Sequence, residues 1–418
     1  MKMQLPMRTQ KNKELPFAIR FYSIVVAMLP VVATYASGIP GFSAADVLLA
    51  VCCVIAVLGN YRQRRNAFVV KPILIAIALY LIFFFNLLTS LIQAAPEYVN
   101  MLIRTVRYGF YLAVIVLCSQ RMFDLELCKK AVKTISLLAS VYIFLQFFVY
   151  RFFGRVLVGF LPFLDVYVDG YAKTDYTALY KAMYRPTSFF LEPAHVARYV
   201  VIGVALFLFD REKLSWKDTL SAIVLSVATL ISTSAQGYFM LAIVWFLCMI
   251  IRTKTIESNG LKSIFLLAGI LMPVLLLGIM QVPFVQTAIA RAMNIDFSNL
   301  ANENTALGAR LGGFSAYFEL PFFHKLIGMG FGVVPKDRWL SSAAYWLYGS
   351  GCIVFLLYLV YGMMCLSRTR GAARQILLIF LILFFSDDSF YSYMCVLFIS
   401  LSCLKPIERH QPIRRITV

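Results

Sequence analysis

The sequence predicts an all-α polytopic membrane protein, and three observations carry this prediction. Hydrophobic residues make up 61% of the 418 residues and charged residues only 14%, and the mean hydropathy is +0.80. This composition excludes a soluble globular domain. Apolar runs long enough to cross a bilayer, about 20 residues each, recur along the chain, and lysine and arginine are concentrated in every second connection between them.

About twelve apolar segments are predicted as transmembrane helices, all within a single integral membrane domain over residues 1–418. The fourth segment carries Arg104 and Arg107 near its outer end, and the eleventh is short for a straight crossing. The predicted spans are 17–37, 43–60, 72–94, 101–120, 134–150, 194–209, 219–234, 237–251, 263–282, 341–366, 374–386 and 389–404.

The distribution of positive charge predicts the orientation of these spans. Most of the 39 Lys and Arg residues fall in connections on the same side as the amino terminus, such as 61–71 and 121–133. Because positively charged connections are retained in the cytoplasm, we expect a multi-pass protein of the inner (cytoplasmic) membrane with both termini cytoplasmic. Topology accounts for most of the net charge of +19, and we expect no nucleic acid as a partner.

The cysteines give no indication of a metal site, and the two longest loops are where function is expected. The nine cysteines lie mostly inside apolar runs, which predicts small buried hydrophobes, and we expect no metal and no cofactor. Two long loops fall on the predicted outer (periplasmic) face, about residues 151–193 and 283–340, and long loops carry function more often than short ones. Tyrosines beside charged residues in the first loop fit either a sugar site or an interfacial aromatic belt.

The first long loop ends in a charged and aromatic run, from Arg185 to Arg198, that leads into an apolar helix. A charge at the bilayer centre costs about 2.5–3.5 kcal/mol on insertion scales, so charges at a helix mouth indicate a water-filled cavity or an anionic ligand. Pro193 fits the first turn of the helix, and His195 and Arg198, three positions apart, share one face. Glu192 is either a reactive carboxylate or a cap that pairs with Arg198 or Arg185.

Two short motifs stand in these loops. The first reads Arg185-Pro-Thr-Ser-Phe-Phe-Leu-Glu-Pro193 and precedes an apolar span. The second reads Gly308-Ala-Arg-Leu-Gly-Gly-Phe314 and is followed by glycines at alternate positions from Gly328 to Gly332. Together with about twelve spans and two enlarged outer loops, this pattern resembles the Wzy-type polymerases of bacterial O-antigen and exopolysaccharide, within the O-antigen ligase and polymerase superfamily.

The resemblance implies a glycosyltransferase-type polymerase of the membrane that joins undecaprenyl diphosphate-linked oligosaccharide units on the periplasmic side. It implies membrane lipid as surroundings and a chain-length regulator as a protein partner. Guanidinium groups bind phosphate oxygens bidentately and stay charged, and a positioned base assists the acceptor hydroxyl. Glu192 is the first candidate base and His195 the second. The candidate substrate-binding residues are Arg185, Arg198, Arg310, His324, Arg104 and Arg107.

Several residues keep a second interpretation at this stage. Arg310 fits a solvated loop cation as well as a phosphate ligand, and His324 fits a solvent-facing side chain. The outer loops contain no Asp-x-Asp motif, so we expect arginine instead of Mg²⁺ to neutralise the diphosphate. The adjacent Asp387 and Asp388 are interpreted as acids that cap and solubilise a turn, and a cation site is the other interpretation of this pair.

Two other functions compete with the polymerase. An O-antigen ligase would share the architecture, but the connection before the span at 341–366 lacks the His-Asn or similar polar pair that often precedes this span in related polymerases and ligases, and the missing histidine disfavours the ligase in particular. A flippase or other transporter of lipid-linked oligosaccharides, which is not an enzyme, would show short loops on both faces and charges that line a central cavity. The two long outer loops favour the polymerase.

Overall fold

The computed structural model describes residues 15–39, 42–59, 61, 64–161, 163–166, 185–252, 308–335, 340–387 and 392–407. Within these ranges the chain forms a bundle of helices with one short two-stranded sheet. The predicted class, a mostly helical protein rich in apolar helices, is confirmed. The tyrosine-rich part of the first long loop, residues 167–184, lies outside the described residues.

The helices follow one another along the chain in two halves. The first half contains α1 (Phe17–Val32), α2 (Ala44–Leu58), β1 (Asn66–Phe68), α3 (Ile73–Ile92), α4 (Tyr98–Met122, with a π-helical turn at Ile115–Ser119) and α5 (Leu125–Phe153). The second half contains α6 (Pro193–Phe209), α7 (Trp216–Ile231), α8 (Ala235–Arg252), α9 (Gly308–Phe318), α10 (Phe322–Ile327), α11 (Ser342–Arg368), α12 (Gly371–Ser386), α13 (Met394–Ser402) and β2 (Leu404–Pro406).

Four of the described helices, α3, α4, α5 and α11, are long and apolar enough to cross a membrane. Helices α1, α2, α6, α8 and α12 are apolar but shorter. The predicted spans overlap described helices except for 263–282, which lies outside the described residues. Apolar helices of this kind support a membrane protein, and the count of twelve crossings stays a prediction.

The bundle has two chemically different ends. Helix α6 separates Glu192 from Asp210 by 17 residues, which is about 25 Å at 1.5 Å per residue. We call the end that holds β1, β2, Asp124 and Asp210 the basic end. We call the end that holds residues 33–39, 154–166, 185–192, 232–234 and Asp387 the loop end.

At the basic end, strands β1 and β2 pair antiparallel, with Ala67 opposite Lys405. The Asn66 side chain donates hydrogen bonds to the carbonyls of Ser119 (2.9 Å) and Phe123 (2.8 Å). These strands depart from the all-helical prediction because two short connections meet there and satisfy each other's backbone groups. The ladder ties the segment after α13 to the connection between α2 and α3.

Helix α6 is the central element, buried along nearly its whole length against α5, α7, α8 and α12. Close packing is possible because its facing residues are small. A Cβ added at Gly203 would lie 2.5 Å from Ser136 Oγ of α5, and one at Gly237 of α8 would lie 2.7 Å from Ala197 Cβ. The helix that carries His195 and Arg198 is therefore held rigidly by its neighbours.

Helix α11 is broken at Gly351, whose φ of +74° lies in the left-handed region. The backbone of the segment after α10 packs into this break. Met329 N–H donates to Tyr348 C=O (2.8 Å), and Gly330 N–H donates to Gly349 C=O (3.0 Å). These bonds satisfy carbonyls that the broken helix leaves without an intrahelical partner. The alternating glycines thus bring one backbone directly against another.

Candidate functional site

Polar side chains gather at the loop end, where α6 begins between the ends of α7, α8 and α12. Apart from Glu192, which is exposed, and Arg185 and His195, which are partly buried, these side chains are buried. We call this group the loop-end polar site. Its members are Arg185, Ser188, Glu192, His195, Arg198, Thr233, Gln236 and Asp387.

A buried ion pair lies at the centre of this site. Arg198 Nη1 lies 2.7 Å from Asp387 Oδ2, and the two side chains are only 4% and 9% exposed. The interpretation of Asp387 as a solvated turn residue is therefore wrong. The carboxylate lies inward because it compensates a guanidinium that α6 carries into the bundle, and a buried charge without a partner is costly.

Asp387 also connects three helices. It follows the last residue of α12, and its carbonyl accepts hydrogen bonds from Ser342 N (2.7 Å) and Ser342 Oγ (2.6 Å) at the start of α11. Its carboxylate meanwhile binds α6 through Arg198. One residue thus fixes the relative position of α6, α11 and α12 at the loop end.

Arg185 is oriented by the turn between α7 and α8. Its Nε donates to Thr233 Oγ1 (3.1 Å) and its Nη2 donates to the Thr233 carbonyl (2.8 Å). Both of these acceptors are neutral oxygens, and the two bonds orient the guanidinium. An arginine held in this way is prepared to bind an anion.

Two residues of the site have a strained backbone. Ser188 and Thr233 both have a φ of +54°, and they are the non-glycine residues with positive φ within the described ranges. The left-handed region is unfavourable for a β-branched residue such as threonine. Ser188 N–H is held by Gln146 Oε1 of α5 at 2.8 Å. Strain of this kind costs about 1–3 kcal/mol and clusters at functional sites.

Glu192 and His195 lie at the mouth of α6, as their spacing predicts. Glu192 occupies the N-cap position, and its carbonyl accepts from the N–H groups of His195 (3.0 Å) and Val196 (3.2 Å). Its side chain makes no capping hydrogen bond and is exposed. Arg198 pairs with the carboxylate of Asp387. His195 lies within electrostatic reach of both Arg198 and Asp387.

Arg104 and His324 belong to a second group of predicted residues, near the break in α11. A Cβ at Gly332 would lie 2.8 Å from Arg104 Cγ. The charge of Arg104 also acts on Tyr345, which follows Ser342 by about one helical turn in α11. His324 lies in α10, and its two ring nitrogens are buried and have no hydrogen-bond partner among the described residues. The ring nitrogens of His324 therefore do not face solvent.

Arg310 and Arg107 lie in other elements. Arg310 is in the first turn of α9, and its side chain falls outside the described part. Arg107 Nη2 lies 2.6 Å from Asp46 Oδ2, while Tyr111 donates to Asp46 Oδ1 at 2.5 Å. Ser43 Oγ donates to the same carboxylate at 2.9 Å. Arg107 thus ties α4 to the start of α2.

Sequence reasoning missed Asp387, Thr233 and Gln236. Gln236 Nε2 donates to Ser386 Oγ at 3.1 Å, and its Oε1 is buried and has no partner among the described residues. A polar residue at the end of an apolar run was the available signal, but many helix ends carry one. Within the described ranges, no three His, Cys, Asp or Glu side chains come together to hold a metal ion.

No family model and no curated protein matches the chain. The fold and the site together define a class, a helical bundle rich in apolar helices with one largely buried polar site at its loop end. What the site does is argued from its own chemistry.

Proposed function

We propose that the protein is a polymerase of lipid-linked oligosaccharides and that the loop-end polar site carries its reaction. The substrates are repeat units linked to undecaprenyl diphosphate, in the synthesis of O-antigen, capsule or exopolysaccharide. In this proposal the loop end faces the periplasm and the basic end faces the cytoplasm of a bacterial inner membrane. A chain-length regulator is the proposed protein partner.

One observation carries the proposal. At the mouth of the most buried helix of an apolar bundle, Arg198 pairs with Asp387 beside His195, and Arg185 is held by Thr233 in the turn between α7 and α8. Charges at such a depth are costly, and a bundle that needed only stability would be served as well by apolar residues. An anionic lipid-linked donor is the substrate class that reaches such a site from the membrane.

The transfer needs three functions from the site. The oxygen of the acceptor sugar hydroxyl attacks the anomeric carbon of the donor and forms the new glycosidic bond. The bond between that carbon and the diphosphate oxygen breaks, and its electron pair leaves with the diphosphate. Glu192, exposed at the mouth, takes the hydroxyl proton, with His195 as the second candidate base. Arg185 stabilises the charge that develops on the leaving diphosphate.

Arg198 and Asp387 have a supporting role in this reaction. The carboxylate of Asp387 compensates the charge of Arg198 at 2.7 Å. Because Asp387 also fixes the start of α11, the pair positions the mouth of α6 against its neighbours. We assign Arg198 and Asp387 as positioning residues, and Arg104, Arg310 and His324 as candidates for contact with the distal part of the substrate.

Substitution of Arg185 tests the proposal. In a strain that lacks the protein, Arg185→Ala should leave single repeat units on the carrier or core, because the loss of one electrostatic donor lowers turnover about 10²- to 10³-fold. Arg185→Lys should also fail, since lysine does not bind phosphate bidentately. The measurement is a gel of surface glycan and lipid-linked intermediates.

The matched control is Arg155→Ala, an exposed arginine of the same loop, which should restore normal polymer. Amounts of each variant in the membrane are measured on the same samples. Normal polymer length from Arg185→Ala at normal protein level would contradict the proposal. Glu192→Gln is expected to behave as Arg185→Ala does if Glu192 is the base.

A transporter of lipid-linked oligosaccharides is the second candidate, and the break in α11 favours it. Discontinuous helices near a binding site are typical of transporters, and Gly351 interrupts a helix that is otherwise long enough to span. Single units trapped on the cytoplasmic face of a strain that lacks the protein would indicate the transporter. Long polymer left on undecaprenyl diphosphate would indicate a ligase instead.

A further inference from the structure

The loop that follows α5 presents apolar side chains to the surroundings of the bundle. Helix α5 ends at Phe153, and Gly154, with a φ of +63°, turns the chain away from the helix. The segment that follows, residues 154–161 and 163–166, is not helical, and we call it the post-α5 loop. Phe163 of this loop is 77% exposed. The other exposed large apolar residues here are Val158, Leu161 and Leu164.

The backbone of the post-α5 loop is paired with the bundle, although its side chains are exposed. Tyr142 of α5 donates to the Val158 carbonyl at 2.9 Å. Gln146 of α5 donates to the Leu157 carbonyl at 2.9 Å. The Asp165 carbonyl accepts from the backbone that follows α1 at 2.8 Å. Irregular backbone is tolerated at membrane depth only where the protein satisfies its polar groups, and these bonds meet that requirement.

An exposed apolar stripe on α5 leads into the loop. Its members recur three and four positions apart and therefore lie on one face of the helix. Helix α5 is long and apolar enough to cross a membrane. Its 29 residues extend about 43 Å, close to the thickness of a bilayer with its headgroups, about 40–45 Å. The stripe consists of Leu138, Val141, Leu145, Phe148 and Phe152.

We propose that the post-α5 loop lies in the interfacial layer of the membrane, with Val158, Leu161 and Phe163 inserted at the boundary between headgroups and acyl chains. Apolar side chains beside a lipid-facing helix are stabilised when they leave water. Arg151, exposed in the last turn of α5, carries a positive charge that suits the phosphate layer. The partner of this surface is a lipid bilayer, whether or not the protein is a polymerase.

The loop also fixes the depth of the loop-end polar site. A Cβ added at Gly159 would overlap the Ser188 carbonyl oxygen, so the two backbones are in direct contact. Gln146 joins them as well, because it donates to the Leu157 carbonyl and accepts from Ser188 N–H at 2.8 Å. The mouth of α6, where Glu192 lies, is therefore held at the depth of the lipid headgroups.

Tryptophan fluorescence in phosphatidylcholine vesicles tests the position of the loop. The full-length protein with Phe163→Trp is reconstituted, and the emission of the wild type, which has four tryptophans, is subtracted. We expect strong quenching by phosphatidylcholine brominated just below the headgroup, weaker quenching by lipid brominated near the chain end, and little quenching by aqueous acrylamide. Val158→Trp should give the same result at a second exposed position.

Val141→Trp is the matched control on the same exposed stripe. It lies about 18 Å before the end of α5 at 1.5 Å per residue, so lipid brominated near the chain end should quench it more strongly than lipid brominated below the headgroup. Glu192→Trp measures the depth of the mouth and should behave as Phe163→Trp does. Quenching of Glu192→Trp by acrylamide alone would overturn the depth assigned to the mouth.

Two results would overturn the proposal for the loop itself. If acrylamide quenched Phe163→Trp and Val158→Trp as strongly as N-acetyltryptophanamide in solution, the loop would lie in water. If neither acrylamide nor brominated lipid quenched them, another segment of the chain or a partner protein would cover the loop.

Discussion

The two ends of the bundle use charge in opposite ways. At the basic end, ion pairs lie near the surface. Asp210 accepts from Lys129 and Lys133, each at 2.8 Å, and Arg211, at 3.3 Å from Asp218, is 68% exposed. At the loop end, Arg198 and Asp387 form a pair that is almost completely enclosed. The same types of charged residue are therefore closer to water at the basic end and enclosed in an environment of low dielectric constant at the loop end.

This difference indicates which charged residues have a functional or specificity role. Exposed pairs contribute about 0–1 kcal/mol each. A buried pair contributes little net stability over well-packed apolar residues, but removal of one partner is strongly destabilising. Arg198 and Asp387 therefore fit a functional or specificity role better than a stabilising one.

The largest expected effect is on the free energy of unfolding, when the carboxylate of each end is replaced by an amide. Asp387→Asn should lower the free energy of unfolding by about 3–5 kcal/mol, because Arg198 is left charged and buried. Asp210→Asn should lower it by less, because Lys129, Lys133 and Asp210 are 13–18% exposed and the two lysines keep some contact with water. The measurement is unfolding of the purified full-length protein in mixed micelles, titrated with sodium dodecyl sulfate.

A double variant sharpens this result. Arg198→Met combined with Asp387→Leu should recover most of the stability that Asp387→Asn loses, because neither charge remains to be buried. It should still fail to make polymer if the pair positions the mouth of α6. Equal losses of stability in Asp387→Asn and Asp210→Asn would remove the distinction between the two ends.

The two ends were not equally readable from the sequence. Helix positions follow from apolar runs near the thickness of a bilayer, and the start of α6 at Pro193 follows from proline's preference for the first turn. The connections rich in lysine and arginine at the basic end can be recognised in the sequence by counting these residues. The pair of Arg198 with Asp387 joins two distant helices, and adjacent acids in a turn have the appearance of solvated residues.

The break in α11 was hidden for a related reason. The span 341–366 was predicted as one continuous helix, and α11 does cover it as Ser342–Arg368. Gly351 is one of several glycines in apolar runs. The sequence around it does not distinguish a glycine packed within a regular helix from one with a positive φ. The difference is made by the backbone of residues 326–330, which packs against it from elsewhere in the chain.

The second prediction compares two glycines with positive φ, Gly351 in the part of α11 nearer the loop end and Gly371 near the basic end. A Cβ at Gly351 would lie 2.1 Å from the Leu326 carbonyl oxygen, whereas one at Gly371, near the basic end, would lie 3.3 Å from the Phe209 carbonyl oxygen. Both alanine variants bear the strain of a positive φ, about 1–3 kcal/mol. Gly351→Ala should lose a further ~1–3 kcal/mol, because two backbones must separate.

The same micelle titration measures both glycine variants. Helix content by circular dichroism, recorded before denaturant is added, shows whether the bundle has formed. The comparison of the ends would weaken if Gly371→Ala were destabilised as much as Gly351→Ala, since the loop-end half would then be no more closely packed than the basic end.

The smallest expected effect is the response of the basic end to acid and salt. Burial acts to raise the pKa of the Asp210 carboxyl, but hydrogen bonds from Lys129 and Lys133 outweigh it and lower the pKa below its usual range. A carboxyl with a lowered pKa in the folded state stabilises the protein above its unfolded-state pKa, about 3.9. This stability is lost as the pH falls through the folded-state pKa.

The wild type should therefore exceed Asp210→Asn in stability by a constant margin above about pH 4, and the margin should shrink in more acidic solution. About 1 M salt should also reduce it at neutral pH, because the pair is near the surface and the screening length falls to about 3 Å. The margin between wild type and Asp387→Asn should resist salt, since water and ions do not reach that pair. Salt that reduced both margins equally would place Asp387 in contact with solvent, and the contrast between a hydrated end and an enclosed end would be lost.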